Sequence, residues 1–269
     1  MKQSSDRLRQ TVVLVSAVLA IVGSFIGSGA AGGTPIQNAS GGALAADATP
    51  IAPGGPAFGI WTPIYLGLIA YAIWQFLPAQ KTDARQRALG YPIAASLVLN
   101  AAWILSIQFD LLVLSVPVIV LLLIVLTRAF RLTLASRPKN LIETIVADGT
   151  VGLYLGWVSV ATAANVTAVL VASGFFGFGL GSDVWGVGVI AVAGLVGVLI
   201  ALYGRGRLAP AASLCWGLGW VAVARLTGYL LSTPTAIAAI AAVAVIVIVT
   251  AFARIRSSSF ASTEGLVSA

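Results

Sequence analysis

Eight apolar stretches follow one another along the chain, at 11–32, 58–77, 91–108, 111–132, 150–173, 184–203, 208–231 and 235–253, separated by polar gaps. A helix needs about 20 such residues to cross the hydrocarbon of a bilayer. The pattern therefore predicts eight transmembrane helices and an all-α integral membrane protein. Charge in the gaps gives the direction of each crossing. Fourteen of the fifteen Lys and Arg residues fall in alternate gaps or, for Arg128 and Arg131, in the last turns of the span that leads into one: Lys2/Arg7/Arg9, Lys81/Arg85/Arg87, Arg128/Arg131/Arg137/Lys139, Arg205/Arg207 and Arg254/Arg256. The intervening gaps hold no Lys or Arg and carry Asp47, Asp110 and Asp183. Positive charge near span ends is retained in the cytoplasm, which puts both termini there, with 1–10 and 257–269 as solvated tails.

Composition makes lipid the main solvent. Hydrophobic residues are 59% of the chain and charged residues 9%, with a mean hydropathy of +1.02, where a soluble domain carries about a quarter charged residues. A net charge of +7 would suggest nucleic acid if it sat on a polar domain. Spread over short cytoplasmic gaps, it is accounted for by anchoring and contact with anionic membrane lipid, and no nucleic-acid partner is expected. The chain has no histidine, which removes the commonest metal ligand, the usual haem axial ligand and most triad chemistry. No metal, cofactor or catalytic residue is expected. Lys2, Lys81 and Lys139 all lie in gaps, so no buried lysine is at hand for a retinal Schiff base. Cys215 is the only cysteine, which excludes an intrachain disulfide.

The first span is preceded by basic residues and ends in small ones, as a signal peptide does, but its apolar run exceeds the roughly 7–15 residues of a signal core. It is read as a span; cleavage would leave seven in the same orientation. The one long gap, 33–57, is rich in Gly, Ala, Pro and Thr, and long loops without structure of their own are often lids or linkers. Spans 3 and 4 form a tight hairpin through Gln108-Phe109-Asp110, and spans 7 and 8 another through Ser232-Thr233-Pro234. Gly-rich stretches such as 186–197 permit close helix contacts within or between subunits, which leaves a homodimer open.

Inside the spans a few polar groups stand out. An unpartnered amide in hydrocarbon costs several kcal/mol on transfer scales. Asn100 has Trp103 three residues on, on the same helical face, and Tyr154, Trp157, Ala161 and Asn165 form one stripe of span 5. Trp61 and Tyr65 share a face of span 2. Three helices thus each present aromatic rings, two of them beside an amide. That mixture suits a concave site for a flat, mostly apolar ligand with a few polar atoms. Taken singly, each residue has a plainer reading, as a helix–helix hydrogen bond or an interfacial anchor; Trp185 and Tyr203, at the two ends of span 6, are read as anchors. Arg225 is the one basic residue inside a span and away from a basic gap. It could bind an anionic ligand, pair with Glu143 or Asp148, or reach outward to the surface or a carbonyl.

These residues resemble the translocator protein family, also called the tryptophan-rich sensory protein or peripheral benzodiazepine receptor family. Pro56-Ala57-Phe58-Gly59-Ile60-Trp61-Thr62-Pro63-Ile64-Tyr65 is similar to its proline, aromatic, Trp-Thr-x-x-Tyr signature. Leu99-Asn100-Ala101-Ala102-Trp103 is similar to its Leu-Asn-x-x-Trp, and the stretch from Tyr154 through Trp157, Ala161 and Thr162 to Asn165 to its Tyr-x-x-Trp-x-x-x-Ala-Thr-x-x-Asn. The resemblance covers roughly 11–175, a five-helix unit, and leaves 176–256 as three additional helices of a longer, prokaryotic-type branch. It implies a multi-pass protein of the prokaryotic cytoplasmic membrane. It also implies a pocket for a hydrophobic or tetrapyrrole-like molecule, bounded by Phe58, Trp61, Tyr65, Asn100, Trp103, Tyr154, Trp157, Thr162 and Asn165 under the first loop. Two features depart from the family. The stretch 165–172 lacks the basic residue of the cholesterol-recognition pattern, and the first loop has no tryptophan.

The leading expectation is a non-catalytic binding protein that senses or moves such a ligand. The alternative is a secondary transporter or channel for a small amphipathic or anionic solute, with Arg225 in its path. An enzyme is the third reading, without an evident acid–base pair.

Overall fold

The computed structural model describes the backbone of residues 2–267 and the side chains of residues 5–257. Eight of its helices are long and apolar enough to cross a membrane, and the described residues contain no strand. They are α1 (Lys2–Gly27), α2 (Gly55–Trp74, of which Gly55–Ile60 is 3-10), α3 (Ala84–Gln108), α4 (Leu112–Ala135), α5 (Leu141–Ala172), α6 (Ser182–Tyr203), α7 (Leu208–Thr227) and α8 (Thr233–Val267). Of the tail expected at 257–269, the side chains past Ser257 lie outside the described residues, and the backbone continues α8 to Val267.

Three helices, α1, α3 and α5, begin well before their apolar runs. α3 starts at Ala84, where the Asp83 carboxylate accepts a hydrogen bond from the Gln86 amide at 3.0 Å and caps the first turn. α1 starts at Lys2, where a solvated tail was expected, and its Asp6 and Arg9 are buried. Polar residues enter these helices because each has a partner: Arg87 forks onto both oxygens of Asp6 at 2.7 and 2.6 Å, and Arg9 donates to the Lys81 carbonyl at 3.0 Å.

Helix contacts run from α1 to α3, α3 to α4, α4 to α5, α5 to α7, and from α8 to α6 and α7. Hydrocarbon offers no hydrophobic drive between helices, so close packing of small residues must supply it. A Cβ on Gly156 of α5 would fall 2.1 Å from the Pro210 carbonyl oxygen of α7, and one on Gly217 of α7 would fall 3.0 Å from Val160 of α5. The backbones of α5 and α7 therefore approach as only glycine allows. α5 serves two apolar cores, one with α1–α4 around Ile64, Leu97, Leu122 and Trp157, the other with α6–α8 around Ile190, Leu218 and Ile246.

The alternate gaps meet on one face of the bundle. There Arg85 of α3 donates to Glu143 at 3.0 Å, to the Thr133 carbonyl at 3.2 Å and to Asp148, while Arg207 reaches the second Asp148 oxygen at 2.6 Å and the Thr133 carbonyl at 3.0 Å. Glu143 and Asp148 are five residues apart, which in an α-helix turns them roughly 140° away from each other. Residues Thr144–Gly149 form a π-turn instead, whose i→i+5 bonding brings such residues onto one side, and both acids reach one guanidinium. Between the same gaps Lys139 pairs with Asp83. Burial pushes the Asp83 carboxyl up, but the Lys139 hydrogen bond and charge outweigh it and hold it below the usual carboxylate range.

A lidded aromatic cavity as the candidate functional site

On the opposite face, the 27-residue connection from Ser28 to Gly54 folds down over the bundle instead of standing off it. Ala39, Thr49, Ile51 and Ala52 are all buried. The connection is fastened at both flanks. Toward α3, Ser40 donates its hydroxyl to the Ile107 carbonyl at 2.8 Å and its amide to Asp110 at 3.1 Å. Toward α7, Arg225 donates to the carbonyls of Thr49, at 2.8 Å, and Ala46, the Gly54 amide donates to the Trp220 carbonyl at 3.2 Å, and the Trp216 indole donates to the Ala57 carbonyl at 2.8 Å.

Arg225 stands nearer the end of its helix than its apolar run implied. α7 ends at Thr227, earlier than the 231 of its apolar run, so Arg225 stands in the last turn, where a cation is favoured by the helix dipole. Its side chain is buried under the connection. Its carbonyl partners are those of the outward-reaching reading, and Glu143 and Asp148 are bound elsewhere to Arg85 and Arg207.

Beneath the lid the aromatic side chains of α2 and α5 meet. Trp61 lies 5.5 Å from Tyr65, 5.8 Å from Tyr154 and 6.2 Å from Trp157 between ring centroids, the last two edge-to-face, and Phe58 meets Trp157 edge-to-face at 5.8 Å. Such pairs contribute about 0.5–1.5 kcal/mol each beyond their buried area. Asn100 donates to the Tyr65 hydroxyl, which also bonds Ser24 of α1, and Tyr154 donates to the Ser96 carbonyl at 3.3 Å. Asn165 accepts from the Trp103 indole at 3.1 Å and exchanges hydrogen bonds with Ser115 of α4. Thr162 returns its hydroxyl to the Val158 carbonyl at 2.7 Å.

The lid and this cluster enclose a cavity of about 40 Å³. Phe58, Trp103, Trp157 and Asn165 border it from the bundle, and Leu44 and Thr49 from the lid. Trp61, Tyr65, Asn100 and Tyr154 stand in the surrounding ring without bordering it. Three buried polar atoms in this neighbourhood lack a hydrogen-bond partner: Trp157 Nε1, Thr49 Oγ1 and Asn100 Oδ1. The lid residues were not legible as site residues, and neither were Trp216 and Trp220. Ile36, Leu44 and Ile51, the bulky aliphatic residues of a small-residue loop, are the signal the sequence carries there.

A family model described as TSPO-like protein matches residues 12–253. The chain belongs to the TSPO-like family. The match reaches into α6–α8 as well as the five-helix unit whose α2, α3 and α5 carry the motifs. Searches of curated proteins and of solved structures found no match. As a TSPO-like protein with eight apolar spanning helices, it is an integral, multi-pass membrane protein. Among the described residues no His, Cys, Asp and Glu side chains are grouped to hold a metal ion.

Proposed function

We propose that this TSPO-like protein is a non-catalytic binding protein of the membrane, and that the lidded cavity takes a flat, largely apolar molecule of the tetrapyrrole type. The observation that carries the reading is a ring of edge-to-face aromatics that still holds uncommitted polar atoms, Trp157 Nε1, Thr49 Oγ1 and Asn100 Oδ1. A buried polar atom without a partner costs about 1–3 kcal/mol, which a ligand with a few polar atoms would offset. Pockets for molecules of drug size enclose about 300–1,000 Å³, against about 40 Å³ here, so the ligand enters by displacing the lid. Arg225, Trp216 and Trp220 hold that lid to α7, which gives the last three helices the task of setting how readily it lifts. This assignment also commits both terminal nitrogens of Arg225 to lid carbonyls and leaves its buried Nε without a partner.

Protoporphyrin titrated into the detergent-solubilised protein is expected to quench indole fluorescence saturably. Asn100→Leu is expected to weaken the binding about tenfold. Trp157→Ala removes a reporting indole, so its weakening is read from porphyrin absorbance. Wild-type affinity in both variants would remove the pocket assignment.

A further inference from the structure

A second cavity lies on the other face, far from the lid, between α4 and α6. α4 packs on α3 and α5 while α6 packs on α8 and α7, so the two helices diverge and leave a groove of about 950 Å³ between them. Its wall is apolar toward the middle of the helices, with Leu123 and Ile124, and its rim carries Arg128, Arg131, Tyr203 and Arg205. Arg128 and Arg131 are three apart on α4, hence neighbours on one side of it. Arg205 is placed by a tight turn. Its own φ is 53°, in the left-handed region, and Gly204 and Gly206 beside it are pressed against Phe130 of α4 and the Arg254 backbone of α8. That turn sends Arg207 inward to Asp148 and leaves Arg205 on the groove.

The charges of this face do not balance among the described residues. Asp6 is held by Arg87, Asp83 by Lys139, Glu143 by Arg85, and Asp148 by Arg85 and Arg207. The other described acids, Asp47, Asp110 and Asp183, lie on the lid face. No ion pair or side-chain hydrogen bond engages Arg128, Arg131 or Arg205. Three guanidiniums, with no counter-ion among the described residues, thus line the end of a hydrocarbon-walled slot near the basic ends of α4 and α6.

We propose that this groove is a binding site for one anionic phospholipid, its phosphate held by Arg128, Arg131 and Arg205 and an acyl chain laid along Leu123 and Ile124. Guanidinium suits phosphate because its planar fork donates two parallel hydrogen bonds. Tyr203, half exposed at the rim, has the apolar body and polar tip that favour a membrane–water interface. The site does not rest on the aromatic cavity.

The test is native mass spectrometry of the full chain titrated in detergent with phosphatidylglycerol, phosphatidylcholine or inorganic phosphate. One phosphatidylglycerol is expected to be retained in preference to phosphatidylcholine. A basic residue near an anionic headgroup contributes about fivefold at low ionic strength, so Arg131→Gln should lose about fivefold and the triple Arg128→Gln, Arg131→Gln, Arg205→Gln variant roughly a hundredfold. Arg137→Gln, on the same face but outside the groove, should retain wild-type binding. The single Arg131→Gln variant decides the matter if the triple one does not fold. Equal retention of both lipids would overturn the proposal, as would an equal loss in Arg137→Gln and Arg131→Gln, which marks diffuse surface charge, or displacement of the lipid by inorganic phosphate, which marks a small-anion site.

Discussion

Asn165 accepts from Trp103 and Ser115 and gives an amide hydrogen back to Ser115, so both ends of its carboxamide are committed and three helices are joined at one residue. Asn100 is committed only at its nitrogen, to Tyr65. The two amides therefore differ in what their loss should do. Asn165→Leu strands the Trp103 indole and leaves the Ser115 hydroxyl only the Leu112 carbonyl. Interhelical hydrogen bonds in membranes average about 0.6 kcal/mol and reach about 1.7, so a loss of about 1–2 kcal/mol is expected, read as a lower melting temperature in detergent. Asn100→Leu should cost less in stability and more in ligand affinity. The 3-4-4 stripe of Tyr154, Trp157 and Asn165 was legible because helical period alone decides which side chains share a face. Ser115 was not, since a serine in an apolar span gives no sign of its partner.

At the scale of the element, hydropathy located all eight spans and missed where several of them end. It scores residue type, whereas a buried charge is permitted by its partner, and the partners of Asp6, Arg9 and Arg85 come from other helices. The π-turn in α5 is of the same kind: nothing in Thr144–Gly149 announces it, and its warrant is that Glu143 and Asp148 both meet Arg85. Removing one member of a buried ion group leaves the others uncompensated, typically at about 3–5 kcal/mol. Arg85→Ala is expected to destabilise the protein by that amount, measured by thermal denaturation in detergent. Arg87→Ala, which removes a side chain 41% exposed, should cost much less. The fold of the first connection was beyond sequence reasoning for a related cause. Its shape is imposed by Trp216 and Arg225, which stand 159 to 179 residues away from the carbonyls they hold.

For the molecule as a whole, the separation of charge along the chain becomes a separation in space, with the basic gaps on one face and the lid on the other. By the positive-inside rule the lid is expected outside the cytoplasm. In a Cys215→Ser background, Tyr229→Cys on the lid face is expected to react with a membrane-impermeant maleimide in intact cells, and Arg137→Cys only after lysis; the reverse labelling would invert the orientation. The fastening of the lid has a chemical corollary. A guanidinium keeps its proton at every pH a folded protein normally meets, and amide carbonyls do not titrate there either. Acidifying the medium therefore leaves the grip of Arg225 intact. What can loosen it is a competitor with stronger lone pairs, a carboxylate or phosphate, drawing the guanidinium off Thr49 and Ala46.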